Sequence, residues 1–92
     1  MIKSWGDSAT RRFGETGKCK FSGLDKESAM DLLAVLDAAT SLQDISPLKS
    51  TGLHKLKGDR KGQWAMTVNG PWRICFQFAD GDAWQVQIVD YH

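Results

Sequence analysis

At 92 residues the chain has room for one domain, and 12 Lys and Arg against 11 Asp and Glu leave a net charge of only +1. No apolar run approaches the ~20 residues of a membrane span, the start carries no signal-peptide pattern, and two cysteines, Cys19 and Cys75, are too few to staple a fold. A single domain over 1–92, in the cytoplasm, is the expectation. Its charge is uneven: residues 1–48 hold six basic and seven acidic side chains, whereas Lys49, Lys55, Lys57, Arg60 and Lys61, with His54, face only Asp59. Such a local basic stretch suits an anionic partner; it also suits a solvated loop.

In chain order, Ile2 to Trp5 reads as a short strand. Asp7 or Ser8 can cap a short helix that Gly17 closes, with Ala9 and Phe13 turned inward. Asp25 can cap a longer helix to about Ala39, because Ala29, Leu32, Leu33 and Leu36 follow the spacing of one buried helical face. Ser41 to Ile45 adds a helical turn before Pro47, and the following stretch to Lys61 is polar and broken by Gly52 and Gly58.

The second half changes period. Gln63 to Val68, Trp72 to Phe78 and Trp84 to Ile88 alternate with period two around Asn69-Gly70-Pro71 and Asp80-Gly81-Asp82, which predicts an antiparallel meander. The apolar residues, among them Trp64, Met66, Trp72, Ile74, Phe76, Trp84 and Ile88, have even numbers; Thr67, Arg73, Cys75, Gln77 and Gln87 have odd ones. Opposed residues share a face, so three-residue loops at 69–71 and 80–82 keep even with even. This register puts Trp72 opposite Val68, and Ile74 opposite both Met66 and Ile88. The even face, with all four tryptophans, is the expected core. The odd face stays open, with Thr67 and Val89 flanking Arg73 and Tyr91 diagonal to it. The fold class is therefore α+β, two to three helices on one face of an antiparallel sheet.

Several chemistries are absent: no glycine-rich phosphate loop, no metal-spaced cysteine pair, no serine elbow. Two histidines far apart in the chain form no metal motif, and no cofactor is expected. What remains suits a phosphodiester. Lys57 and Arg73 can hold a phosphate and offset its developing charge, His54 or His92 can move protons, and Tyr91 can stack on a base. Each has a plainer alternative: His54 capping a loop, Arg73 pairing with an acid, Tyr91-His92 as a frayed end.

Leu53-His54-Lys55-Leu56-Lys57-Gly58-Asp59-Arg60, Gly62-Gln63-Trp64, Asn69-Gly70-Pro71-Trp72-Arg73-Ile74 and the ending Val89-Asp90-Tyr91-His92 resemble the HigB toxins, a branch of the RelE/ParE superfamily of plasmid-maintenance killer proteins. The likeness extends to Met1-Ile2-Lys3-Ser4 and Leu36-Asp37-Ala38-Ala39-Thr40, nearly the whole chain. It implies the RelE-like toxin fold and a toxin of a type II toxin–antitoxin system that cleaves messenger RNA in the ribosomal A site without a metal, by attack of the ribose 2′-hydroxyl. It also implies a catalytic set of His54, Lys57, Arg73, Asp90, Tyr91 and His92, with Asp90 orienting a histidine or bonding RNA. Lys49, Lys55, Arg60, Lys61 and Thr67 are the residues expected to bind RNA or ribosome. The implied partners are a helix-turn-helix, HigA-like antitoxin and, through it alone, operator DNA; the first two helices, with Arg11, Arg12, Glu15, Glu27 and Asp31, are the candidate contact. Two features depart from the family: Lys55 stands where many relatives have proline, and the near-neutral charge leaves RNA contact to the local basic patch. The alternative is a ParE-like inhibitor of a topoisomerase, a branch that generally lacks the histidine and the terminal Asp-Tyr-His. A weakly catalytic RNA-binding module is a third reading.

Overall fold

The structure, a computed structural model, describes residues 1–45 and 52–90. Helix α1 (Ser8–Thr16) begins where the Asp7 carboxylate accepts the Thr10 N–H and ends at Gly17, whose φ of 78° lets its N–H return to the Phe13 carbonyl. Phe13 is buried as expected, but the second inward residue is Thr10; Ala9 is half-buried. Helix α2 (Lys26–Ala38) is capped by Asp25, carries Glu27 at its positive end, and buries Ala29, Leu32, Leu33 and Leu36. Burying each of those leucines contributes ~1.5–3 kcal/mol. A 3₁₀ turn, Leu42–Asp44, follows. Among the described residues no helix is long and apolar enough to cross a membrane.

Strands β1 (His54–Lys55), β2 (Trp64–Asn69), β3 (Trp72–Ala79) and β4 (Asp82–Asp90) form an antiparallel sheet in that order. Helices on one face of an antiparallel sheet is the expected α+β architecture, and Ile74 does stand opposite Met66 and Ile88. Phe13, Leu36, Ile45, Met66, Ile74, Phe76 and Val86 fill the layer between, with no more than 1 % of their surface exposed.

The loops differ from the expectation. Both are two-residue turns, Gly70-Pro71 between Asn69 and Trp72 and Asp80-Gly81 between Ala79 and Asp82, and a bulge restores the phase beside each, before the first turn on β2 and after the second on β4. The first bulge leaves Trp72 opposite Asn69 rather than Val68. The second falls where Cys75 pairs with Gln87 but Gln77 with Trp84, and there Gln85 has a φ of 56°. Between that bulge and the turn, Ala83 takes the core position opposite Phe78, and Trp84 stands opposite Gln77 on the other face. Trp84 is thus not a core residue, and its indole N–H donates to the Ala79 carbonyl. The remaining tryptophans, Trp5, Trp64 and Trp72, pack half-buried against the core margin. Phe21 meets Trp72 edge-on with centroids 5.6 Å apart.

Residues 2–5 do not make a regular strand. They run parallel to β4 through isolated bridges, Ile2 to Ala83 and Trp5 to Val86. The Gln85 bulge interrupts the edge they would pair with, and the Ser4 hydroxyl takes the Gln85 N–H instead. This segment covers the outer edge of β4, which would otherwise offer unpaired backbone.

Candidate active site

The register sets the odd-numbered face residue by residue. His54 lies opposite Ala65, Ala65 opposite Cys75, and Cys75 opposite Gln87; in the neighbouring row Thr67 lies opposite Arg73 and Arg73 opposite Val89. Thr67 and Arg73 therefore share this face, as the alternation predicts, and His54 joins them through β1, a strand in a stretch expected to be a broken loop. The pairing of Arg73 with Val89 and Thr67 is the expected one.

The face is not entirely open and polar. Leu56, two residues beyond His54 and so on the same side of the chain, is buried with Ala65 and Cys75, and Val89 packs against them. This second, small core anchors the loop that follows β1. That loop makes a 3₁₀ turn, Gly58–Arg60, with Lys57 exposed at its start, and its Arg60 Nη1 donates to the side-chain carbonyls of Gln63, at 3.2 Å, and Gln87, at 3.4 Å. Arg60 thus ties the loop across the sheet to β4. Lys55, Leu56, Lys57, Gly58 and Lys61 line an adjoining cleft of ≈ 400 Å³. Burial pushes the Cys75 thiol above its ordinary range, while the positive charges of Arg60 and Arg73 pull it the other way. Both guanidiniums therefore act on the same spot of this face.

Arg73 is half-buried, and its Nη1 donates to the carbonyls of Gly70, at 2.7 Å, and Trp72, at 3.0 Å. The β2–β3 turn thereby fixes one nitrogen of the guanidinium. His54 is exposed, and its Nδ1 lies 2.9 Å from the Gly52 carbonyl. Asp90 ends β4 with Trp72 as its register partner, and Trp72 packs against the helix-covered core. Lys49, Tyr91 and His92, and with them the Tyr91 diagonal, lie outside the described residues.

Gln63 and Gln87, the clamp on Arg60, and Leu56, the anchor of its loop, were not among the residues expected at the site. The phase of Gln63 and Gln87 was visible and that of Leu56 was not, and a side chain crossing several strands leaves no trace in local periodicity.

A family model described as the RelE-like toxin of the type II toxin–antitoxin system HigB matches residues 3–92. This chain belongs to the HigB-like toxin family. The toxin is also 39% identical over 95 residues to a protein of Proteus vulgaris named endoribonuclease HigB, with all of both chains covered. As a type II toxin it has an antitoxin partner. The matched span includes the described strands and both helices, so the face with His54, Thr67 and Arg73 belongs to the family's fold.

Proposed function

We propose that the toxin is a metal-independent endoribonuclease that cuts messenger RNA in the ribosomal A site and so stops translation. The observation that carries this reading is that His54, Thr67 and Arg73 share one sheet face beside a cleft lined by Lys55, Lys57 and Lys61. Likeness to a protein named as an endoribonuclease supports it.

In this reading the ribose 2′-oxygen attacks the adjacent phosphorus, its proton passing to His54 or His92. The bond from phosphorus to the 5′-oxygen then breaks, and the leaving oxygen takes up a proton. The products are a 2′,3′-cyclic phosphate and a 5′-hydroxyl. Lys57 and the part of the Arg73 guanidinium not held by the turn offset the charge that grows on the phosphate oxygens. Tyr91 stacks on a base, and Asp90 bonds RNA or orients a histidine. Lys49, Lys55, Arg60, Lys61 and Thr67 hold the strand, with Arg60 pre-set by its two glutamines. A HigA-like helix-turn-helix antitoxin restrains the toxin and carries it to operator DNA. The toxin acts in the cytoplasm as one domain over 1–92.

The test is cleavage of a short messenger RNA on programmed ribosomes, with transition metals chelated, by the full chain and by a chain truncated after Asp90. Cleavage by the full chain alone, leaving a cyclic phosphate and abolished by a 2′-deoxy nucleotide at the cut, is expected. A folded toxin that cuts nothing, while replication stalls before translation in expressing cells, would replace this reading with that of a topoisomerase inhibitor.

A further inference from the structure

We propose that Gly52 is a positioning residue that holds His54 in the tautomer whose lone pair is on Nε2, so that Nε2 is the atom that exchanges protons with RNA. This rests on the reading of His54 as a proton carrier given above. A carbonyl oxygen only accepts, so the 2.9 Å contact between Gly52 O and His54 Nδ1 requires the proton to be on Nδ1. A neutral imidazole carries one such proton, which leaves Nε2 as the acceptor. The contact has a consequence because a free histidine side chain prefers the opposite tautomer, with its proton on Nε2.

Glycine is required at position 52 for two reasons. Its φ is +55°, a conformation that L side chains rarely adopt, and it is this backbone turn that presents the carbonyl to the ring two residues on. A Cβ there would also lie 3.0 Å from Thr67 Oγ1 and 3.4 Å from Thr67 Cβ. Thr67 therefore occupies the space that a side chain at position 52 would need, and across the ladder Thr67 is the register partner of Arg73.

The full-length toxin labelled with ¹⁵N at histidine, at a pH where imidazole is neutral, reports the tautomer directly from the shifts of its two ring nitrogens. A protonated Nδ1 and an unprotonated Nε2 at His54 are expected. Gly52→Ala is expected to move the ring toward the Nε2–H form and to lower kcat roughly 10-fold or more with KM unchanged, as part of the ~10²–10⁴ that a positioned proton carrier contributes. Far-UV circular dichroism shows whether that variant is folded; the wild-type tautomer decides even if it is not. An Nε2–H tautomer in the wild type overturns the proposal, as does a folded Gly52→Ala with unchanged kcat. Full cleavage by His54→Ala, with the wild-type ring still protonated on Nδ1, overturns instead the catalytic reading of His54, and so the two failures are told apart.

Discussion

The Thr10 hydroxyl, on α1, accepts the backbone N–H of Ile88 on β4 at 2.9 Å, and both residues are buried. It satisfies an edge-strand donor just past the point where the N-terminal segment stops pairing. Thr10→Val keeps the shape and orphans that N–H, so a loss of ~1–3 kcal/mol is expected, with Thr10→Ser losing less. Urea unfolding of the variants, with unchanged slope, is the check.

Acid should weaken the joint between α2 and the 3₁₀ turn. The Asp44 carboxyl is held below its ordinary pKa of 3.8 chiefly by the Thr40 N–H, then by the Thr40 hydroxyl, and the Ser41 N–H adds to both. Its folded pKa is lower than its unfolded one, so its contribution is present above the ordinary value and fades as pH falls through the folded one. Between about pH 5 and about pH 3 the Tm of the wild type should therefore fall more than that of Asp44→Asn. Parallel melting curves would remove this role from Asp44.

Arg73 is expected to carry the greatest charge stabilisation at the proposed site. Arg73→Ala should lower single-turnover cleavage on programmed ribosomes by ~10²–10³, with Tm little changed, because its bonds to Gly70 and Trp72 are at a turn surface. Arg73→Lys should recover only part of the rate, since a point charge cannot both hold the turn and grip phosphate with two parallel bonds.

The lysines of the 400 Å³ cleft should act through charge alone. Lys55→Ala and Lys61→Ala should each weaken ribosome binding and lower the slope of log K against log salt by about 0.7–1. An unchanged slope in co-sedimentation would place both outside the RNA contact.

Leu56 is 6 % exposed and seats the basic loop on Ala65 and Cys75. Leu56→Ala should cost ~2–5 kcal/mol and open the buried Cys75 thiol to alkylation, followed by mass spectrometry. Continued protection of Cys75 would show that the loop is held by the Arg60 clamp instead.

Local chemistry in the sequence determined the helices and the phase of the sheet. Asp7, Gly17 and Asp25 mark helix limits because their side chains or conformational freedom serve groups only a few residues away. The even–odd alternation placed Met66, Ile74 and Ile88 in the core and Thr67 and Arg73 on the other face. The motif runs at Leu53 to Arg60, 62–64, 69–74 and 89–92 together pointed to the family. Tertiary structure alone decided the bulges that turn Trp84 out and Ala83 in, the edge role of residues 2–5, the small core under Leu56, and the tie of Arg73 to its own turn. The reason is common to these cases. A left-handed non-glycine residue such as Gln85 is disfavoured locally and is held by a partner, Ser4, from the far end of the chain. Periodicity reports the preferences of neighbours in sequence, whereas these features depend on groups brought together by the completed fold.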